Sequence, residues 1–168
     1  MWVTGLPASG KSTLARRLRD RLRGAGIPAA VLDGDAVRAA LIPPRGYGEA
    51  ERIALYETVG NLALTLAAEG LVAIVAATAH RRAFRDRVRE RAPRFVEVWM
   101  DVSPETCAAR DPKGLWARAR AGAAPDLPGA GVAYEPPVAP EVVARGGEDA
   151  AAVEAIVAAL GVGPASDP

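Results

Sequence analysis

The chain has 168 residues, with 21 lysines and arginines against 20 aspartates and glutamates and a formal net charge of +1. This length suits one domain with one hydrophobic core, and the near-neutral charge gives no support for a nucleic-acid or membrane partner. A single cysteine excludes an internal disulfide framework, and no apolar run reaches the length of a membrane span. We therefore expect a single cytoplasmic domain over residues 1–160, followed by a disordered tail at 161–168.

A short strand, a glycine-rich loop and a helix open the chain. Residues 5–13 fit G-x-x-x-x-G-K-[ST], the phosphate-binding loop of nucleotide-using enzymes, between a predicted strand at 2–4 and a predicted helix at 11–23. In such a loop the backbone N–H groups and the helix N-terminus attract phosphate. Lys11 would reach the β- and γ-phosphates, and the Ser12 hydroxyl would ligate Mg²⁺. The residues expected to bind ATP here are Gly5, Pro7, Ala8, Ser9, Gly10, Lys11, Ser12 and Thr13.

Strands and helices alternate along the rest of the chain. Apolar runs and helical spacing predict further strands at 29–32, 71–77, 95–102 and 141–144, and helices at 35–41, 49–68, 82–91, 114–121 and 147–160, with a short helix after Ser103 and Pro104. A turn-forming segment at 43–46 interrupts the pattern. We therefore predict an α/β, P-loop NTPase-like fold in three layers, with a mostly parallel sheet and the ligand at the carboxyl ends of its strands. Residues 112–137, rich in glycine, proline and alanine, are predicted to form a mobile lid.

Charged side chains follow the second predicted strand and recur in the segments after it. Asp33 and Asp35 could orient an acceptor hydroxyl or hold Mg²⁺ through water, although a solvated turn would have the same local sequence. Arg38, Arg52 and Arg82 are candidates for binding an anionic acceptor, because guanidinium groups offer a bidentate fork to phosphate or sulfate. In a chain so rich in arginine, each of them could equally be an ordinary surface residue.

The chain contains only two lysines, Lys11 in the phosphate loop and Lys113 in the predicted lid. Closure of the lid would bring the Lys113 ammonium over the phosphates and exclude water. His80 is the only histidine, and we favour a loop or surface role over a general-base role because Asp33 is better placed. Cys107 is expected to be a buried apolar residue. No spacing of histidine, cysteine and carboxylates predicts a zinc site.

Several segments together resemble the adenylylsulfate kinase (APS kinase) family, along nearly the whole chain from Trp2 to Leu160. Beyond the phosphate loop, the matching segments are L-D-G-D-x-V-R at 32–38, G-Y at 46–47, C-A-A-R-D-P-K-G-L-W at 107–116, A-R-A-G at 119–122 and Y-E-P-P at 134–137. The family phosphorylates the ribose 3′-hydroxyl of adenosine 5′-phosphosulfate (adenylylsulfate) with MgATP. The resemblance therefore implies a small-molecule nucleotide acceptor, and the family is often dimeric, which implies a homodimer.

The resemblance also assigns roles to individual residues. It implies that Asp33 is the base near the acceptor hydroxyl, that Asp35 supports it or Mg²⁺, and that Lys11 and Lys113 act on the phosphates. The residues implied in nucleotide contacts are Arg110, packed by the ATP adenine, and Arg38, Tyr47 and Arg52 on the acceptor side.

Departures from the family pattern cluster on the acceptor side. The family's Asn-Ile-Arg-Arg corresponds to residues 55–58 here, its Ser-Pro-Tyr-Arg to residues 79–82, and its Asp-Asp region to residues 131–132. Leu127 takes the place of the phenylalanine that stacks on the acceptor adenine, and losing an aromatic platform costs about 1–3 kcal/mol per stacked base. Two alternatives therefore stay open: the same kinase chemistry on a different nucleotide-linked or small-metabolite acceptor, and a non-catalytic nucleotide-binding module.

Overall fold

A five-stranded parallel sheet organises the protein, for which a computed structural model describes residues 1–43 and 46–161. The strands are β1 (Trp2–Thr4), β2 (Ala29–Asp33), β3 (Val72–Ala76), β4 (Glu97–Met100) and β5 (Val142–Ala144). They lie in the order β2-β3-β1-β4-β5, and each neighbouring pair is parallel. Residues 44–45 of the predicted turn and residues 162–168 of the predicted disordered tail lie outside the described residues.

Helices connect the strands. They are α1 (Lys11–Gly24), α2 (Gly34–Ala40), α3 (Glu49–Ala68), α4 (Arg82–Arg89), α5 (Pro104–Arg110), α6 (Leu115–Arg120) and α7 (Ala150–Leu160). The predicted α/β fold with a parallel sheet is therefore confirmed.

Two elements are shorter than predicted by three residues or more. β4 has four residues where 95–102 was expected, because its neighbours β1 and β5 have three residues each and pair only with residues 97–100. α7 begins three residues later than expected, because the Asp149 side chain accepts a hydrogen bond from the Ala152 amide at 2.9 Å and fixes the start of the helix there.

Hydrophobic side chains cover both faces of the sheet. On one face, Leu14, Leu18 and Leu22 of α1 pack with α7 against the sheet, so these leucines, spaced four residues apart, form the buried stripe of this helix. On the other face, α3 and α4 pack through residues such as Val59 and Phe84. These two layers around the sheet give the three-layer arrangement that was predicted.

A third, smaller hydrophobic cluster lies between the phosphate loop and the lid. Leu6 of the loop packs there with Cys107 of α5, Trp116 of α6 and Leu127, all of which are buried. The predicted burial of Cys107 is confirmed. Within residues 1–43 and 46–161, no helix combines the length and the apolar character that crossing a membrane requires.

Candidate active site

The phosphate loop has a backbone conformation suited to binding an anion. Ala8 and Gly10 have left-handed φ angles of 65° and 100°, and Gly10 directly precedes α1. Left-handed residues within a turn direct neighbouring amides into a concave site, and the helix N-terminus adds a partial positive charge. A Cβ on Gly10 would lie 2.6 Å from the Gly147 nitrogen, so the loop is packed tightly against the segment that follows β5. These features fit the phosphates of a nucleotide.

Lys11 lies folded over this loop. Its Nζ donates hydrogen bonds to the carbonyl oxygens of Gly5 at 3.0 Å and Leu6 at 2.7 Å. Burial lowers the pKa of the Lys11 ammonium to about 8, against the attraction of Asp35 and, more weakly, Asp33. Phosphate oxygens would supply negative charge that raises this pKa again. Lys11 is therefore a cation held at the loop, and within the described part of the chain only backbone oxygens accept its hydrogen bonds.

Asp33 connects the phosphate loop to the end of β2. One carboxylate oxygen accepts a hydrogen bond from the Ser12 hydroxyl, and the other accepts the amides of Asp35 at 3.0 Å and Ala36 at 3.4 Å. The second set of bonds makes Asp33 the N-cap of α2. The parallel strands thus bring together Ser12 and Asp33, as the shared edge of the sheet predicted.

Lys113 reaches across from the lid to the other aspartate. Its Nζ donates to Asp35 at 2.5 Å, and this hydrogen bond raises the pKa of Lys113. Both side chains are 60% exposed, so the pair contributes little to stability but does hold the two segments together. Among the described residues, no group of three or more histidine, cysteine, aspartate or glutamate side chains is arranged to hold a metal by itself. A magnesium site here would need phosphate oxygens as additional ligands.

The lid is docked on the phosphate loop by Trp116. The indole Nε1 donates to the Pro7 carbonyl at 3.1 Å, and the ring packs in the cluster with Leu6 and Leu127. The tip of the lid is a tight turn in which a Cβ on Gly131 would lie 1.4 Å from the Pro125 carbonyl oxygen. In this turn the structure leaves no space for a side chain at position 131, where the family pattern has an aspartate.

Two arginines and one tyrosine form the opposite wall. The Arg38 guanidinium lies 4.4 Å from the centre of the Tyr47 ring and donates to the Gly46 carbonyl. Arg52 donates to the Tyr47 carbonyl at 2.6 Å and to the Asp126 carbonyl at 2.7 Å, which joins this wall to the lid. Both arginines are buried, whereas Tyr47 is 56% exposed. An aromatic ring with cations behind it suits a planar, anionic ligand.

An open cleft of about 1220 Å³ joins these groups. Of the residues predicted from the sequence, those that line the cleft are Pro7, Ala8, Gly10, Lys11, Ser12, Thr13, Asp33, Asp35, Arg38, Tyr47, Arg52, Arg110, Lys113 and Leu127. Gly5 and Ser9 are buried within the loop and do not line the cleft, and the Ser9 hydroxyl has no hydrogen-bond partner among the described residues. Leu127 is 7% exposed, so most of its surface belongs to the hydrophobic cluster.

Arg82 and His80 lie away from the cleft lining. The Arg82 amide donates to the Glu135 carboxylate at 2.8 Å, and its guanidinium donates to the Pro136 carbonyl at 3.2 Å. This placement does not support the predicted acceptor contact and makes Arg82 part of the attachment of the lid. Burial, with Arg52 and Arg81 nearby, lowers the pKa of His80 to about 4, so its imidazole is neutral near pH 7.

Sequence reasoning missed several residues that line the cleft. Gly146 and Gly147 follow β5 at the same edge of the sheet and pack on the phosphate loop and Thr13. Their double-glycine pattern after a strand was a usable signal, but a helix was predicted to begin at 147. Arg16 of α1 and Thr78 after β3 also line the cleft.

Comparisons with known proteins agree with this geometry. The family model for adenylylsulphate kinase matches residues 1–145. The adenylyl-sulfate kinase of Citrobacter koseri is 44% identical over 144 residues, covering 84% of this chain and 72% of that protein. The adenylyl-sulfate kinase of Acaryochloris marina is 38% identical over 151 residues, covering 89% and 74%. The structure of the Mycobacterium tuberculosis APS kinase CysC in complex with AMPPNP and APS is 33% identical, with a TM-score of 0.87 and 96% of both chains covered. This chain belongs to the adenylylsulphate kinase family, a family of ATP-dependent kinases.

Proposed function

We propose that this protein transfers the γ-phosphoryl group of ATP to the 3′-hydroxyl of adenosine 5′-phosphosulfate. The observation that carries this proposal is the contact between the Ser12 hydroxyl and the Asp33 carboxylate. It joins the phosphate loop, where a nucleotide triphosphate fits, to a fixed carboxylate that can receive a proton. Family membership and the likeness to an APS kinase that was solved with AMPPNP and APS support the same assignment.

We propose that ATP lies along the phosphate loop. The left-handed residues Ala8 and Gly10 direct amides toward its phosphates, and Lys11 exchanges the carbonyls of Gly5 and Leu6 for phosphate oxygens. Arg110, at the end of α5, lines the same cleft as Gly147 and would pack against the adenine. Gly146 and Gly147 bring backbone without side chains to this part of the cleft.

A magnesium ion fits the polar groups at the same place. The Ser12 hydroxyl and the carboxylates of Asp33 and Asp35 are the hard oxygen donors that this ion prefers, and phosphate oxygens would complete the set. When bound with the nucleotide, Mg²⁺ neutralises the charge that develops between the β- and γ-phosphates.

In the proposed reaction, Asp33 is the base. Its carboxylate is held by the amides of Asp35 and Ala36, so one oxygen stays fixed while the oxygen facing Ser12 can change partners. That oxygen accepts the proton of the 3′-hydroxyl as the hydroxyl oxygen bonds to the γ-phosphorus and ADP leaves. Lys11 and Lys113 keep their positive charges next to the oxygens that become more negative.

We propose that the acceptor nucleotide lies against Arg38, Tyr47 and Arg52. The exposed Tyr47 ring, with the Arg38 guanidinium behind it, would stack on the base, and the guanidinium groups would attract the phosphosulfate. Leu127 would contribute only its exposed edge. Residues 112–137 would act as the lid, with Trp116 already docked on the loop.

The test is ADP release by the purified protein with ATP, magnesium and adenylylsulfate, measured in a coupled assay. We expect turnover far above the ATPase rate without acceptor and its loss in Lys11→Met. If adenylylsulfate gives no stimulation, the acceptor assignment is wrong.

A different acceptor is the second candidate, because Leu127 is buried in the cluster. Of the two tyrosines that line the cleft, Tyr47 is exposed and available to the acceptor base, whereas Tyr56 is buried. A thermal-shift series of nucleotides and of sulfated or phosphorylated metabolites identifies it, since a tight ligand stabilises by about 2.7 kcal/mol at a hundredfold excess over its Kd. Tight ATP binding without turnover on any member of the series would instead favour the non-catalytic module.

Two expectations stay predictions. The homodimer is checked by light scattering of the purified protein, and the cytoplasmic location by fractionation of the source cells.

A further inference from the structure

Arg85 is the most deeply buried charged side chain in the described part of the protein. It lies on α4, and its side chain is 1% exposed. Its Nε donates to Glu97 Oε1 at 2.5 Å, one terminal nitrogen donates to the Ala79 carbonyl, and the other donates to the Glu135 carbonyl at 2.9 Å. Well-packed apolar residues often serve stability as well as a buried ion pair does, so stability alone gives a weak reason for this arrangement.

The three acceptors of Arg85 belong to three different segments. Glu97 is the first residue of β4, and its other oxygen accepts a hydrogen bond from Arg89 at 3.2 Å. Ala79 belongs to the turn after β3 and has a left-handed φ of 38°. Glu135 lies in the segment by which the chain returns from the lid. Only the planar guanidinium, with its five donors, can bridge these acceptors at once.

The returning end of the lid is held by further bonds around this centre. The Glu135 amide donates to the His80 carbonyl at 2.7 Å, in the turn that Arg85 also contacts. The hydroxyls of Tyr134 and Thr4 lie 3.1 Å apart, and Thr4 donates to the Thr78 carbonyl at 2.7 Å. This turn therefore carries both Thr78, which lines the cleft, and the attachment of the lid.

At its entering end the lid is docked by Trp116 and by an exposed ion pair. The Lys113–Asp35 pair is more than half exposed, and exposed pairs hold little free energy. The attachment at Glu135, which is centred on the buried Arg85, is the fixed point about which the lid can move once the exposed pair and the Trp116 contact separate. Arg85 sets its position relative to the floor of the cleft.

We propose that Arg85, held in place by Glu97, is a positioning residue that fixes the C-terminal hinge of the lid against the turn carrying Thr78. Its guanidinium reaches neither the phosphate loop nor the cleft, so it acts through the hinge. The inference rests on the proposed function in one respect, that the lid covers the acceptor. Loosening the hinge then weakens acceptor binding while nucleotide binding at the phosphate loop is kept.

The test compares Arg85→Lys with Arg87→Lys on the same helix. Arg87 pairs with Glu57 at 2.9 Å on the exposed surface, so the same change there leaves the hinge intact. Lysine at position 85 keeps a charge for Glu97 but cannot span the carbonyls. We expect amide hydrogen exchange over residues 111–134, measured with ADP and without acceptor, to rise about tenfold in Arg85→Lys. We expect the KM for adenylylsulfate to rise by a similar factor, with the Kd for ADP unchanged.

Three outcomes would overturn the inference: unchanged exchange in a folded Arg85→Lys, an equal loss of ADP affinity, or the same effects in Arg87→Lys. If Arg85→Lys does not fold, Glu97→Gln applies the same test, because the amide keeps one hydrogen bond to Arg85 but removes the charge that holds it. Unchanged lid exchange in that variant also overturns the inference. Amide exchange is measured without acceptor, so it does not depend on which acceptor the protein uses. If the wild-type protein is inactive on adenylylsulfate, the proposed function is refuted, but the exchange data still test the role of Arg85 in the hinge.

Discussion

Asparagine and alanine at position 33 separate the two roles of Asp33. In the structure the Asp33 carboxylate caps α2 through two backbone amides and also faces the Ser12 hydroxyl. Asp33→Asn keeps an oxygen for the amides and a polar group for the hydroxyl, but it removes the negative charge and the ability to accept a proton. Asp33→Ala removes the cap as well.

The expected magnitudes differ for the two properties. Asparagine is as good an N-cap as aspartate, whereas alanine costs about 0.5–2 kcal/mol. For a chain of 168 residues, each kcal/mol lowers Tm by about 2–4 °C. We therefore expect Asp33→Ala to melt roughly 1–8 °C below the wild type, with Asp33→Asn close to it. Loss of a general base lowers kcat about 10²–10⁴-fold, and both variants should show it.

Thermal melts and the coupled ADP-release assay measure the two properties independently. Nucleotide affinity without magnesium should be unchanged or higher in Asp33→Asn, because one negative charge beside the phosphates is gone. A loss of kcat at constant nucleotide affinity then identifies a transition-state role. If Asp33→Asn keeps more than about a tenth of the wild-type kcat, the base assignment is wrong, since removing a base costs at least about a hundredfold.

Four other predictions concern Lys11, Gly131 and Trp116. Nucleotide binding near pH 8 should take up about half a proton in the wild type and none in Lys11→Met. The reason is that burial lowers the Lys11 pKa to about 8 and bound phosphates would raise it again. Calorimetry in buffers of different ionisation enthalpy measures this proton uptake. The ligand-free protein should also become more stable as the pH rises from about 8 toward 10.5. In this range the buried Lys11 has lost its proton, whereas the same lysine in the unfolded chain still binds one, so raising the pH disfavours unfolding. Gly131→Ala should raise the acceptor KM, since its Cβ would lie 1.4 Å from a backbone carbonyl, whereas Gly24→Ala, with open space around it, should not. Trp116→Phe keeps the packing but loses the 3.1 Å bond to Pro7, so faster proteolysis of the lid is expected with little change in Tm; equal rates would contradict the docking role.

The phosphate loop and its neighbouring aspartates could be predicted because their geometry is local. Fixed spacing between Gly10, Lys11 and Ser12 sets the loop, and a strand that ends in Asp33 and Asp35 delivers both to the same edge of a parallel sheet. The helical spacing of apolar residues likewise predicted α1 and α3. In each case a few consecutive residues carry the whole signal.

Other parts of the site depend on contacts between distant segments. Three features of the site arise from contacts between segments that are far apart in the sequence. They are the close approach of Gly147 to the phosphate loop, the burial of Leu127 and the attachment of Arg82 to Glu135. The helical periodicity near residue 147 also predicted that α7 begins there, whereas the Asp149 cap starts the helix at Ala150. No pattern of neighbouring residues encodes such approaches, so sequence reasoning could name these residues but not place them.

The two lysines show how the site is prepared for phosphate before any is bound. Lys11 is held by the carbonyls of Gly5 and Leu6, and Lys113 by the carboxylate of Asp35, so both cations that line the cleft already have oxygen partners. We expect a bound triphosphate to exchange these oxygens for phosphate oxygens and so to offset part of the cost of keeping the Lys11 charge at a buried loop. Release of Asp35 by Lys113 would then free a carboxylate next to the proposed magnesium site and would link closure of the lid to completion of the site.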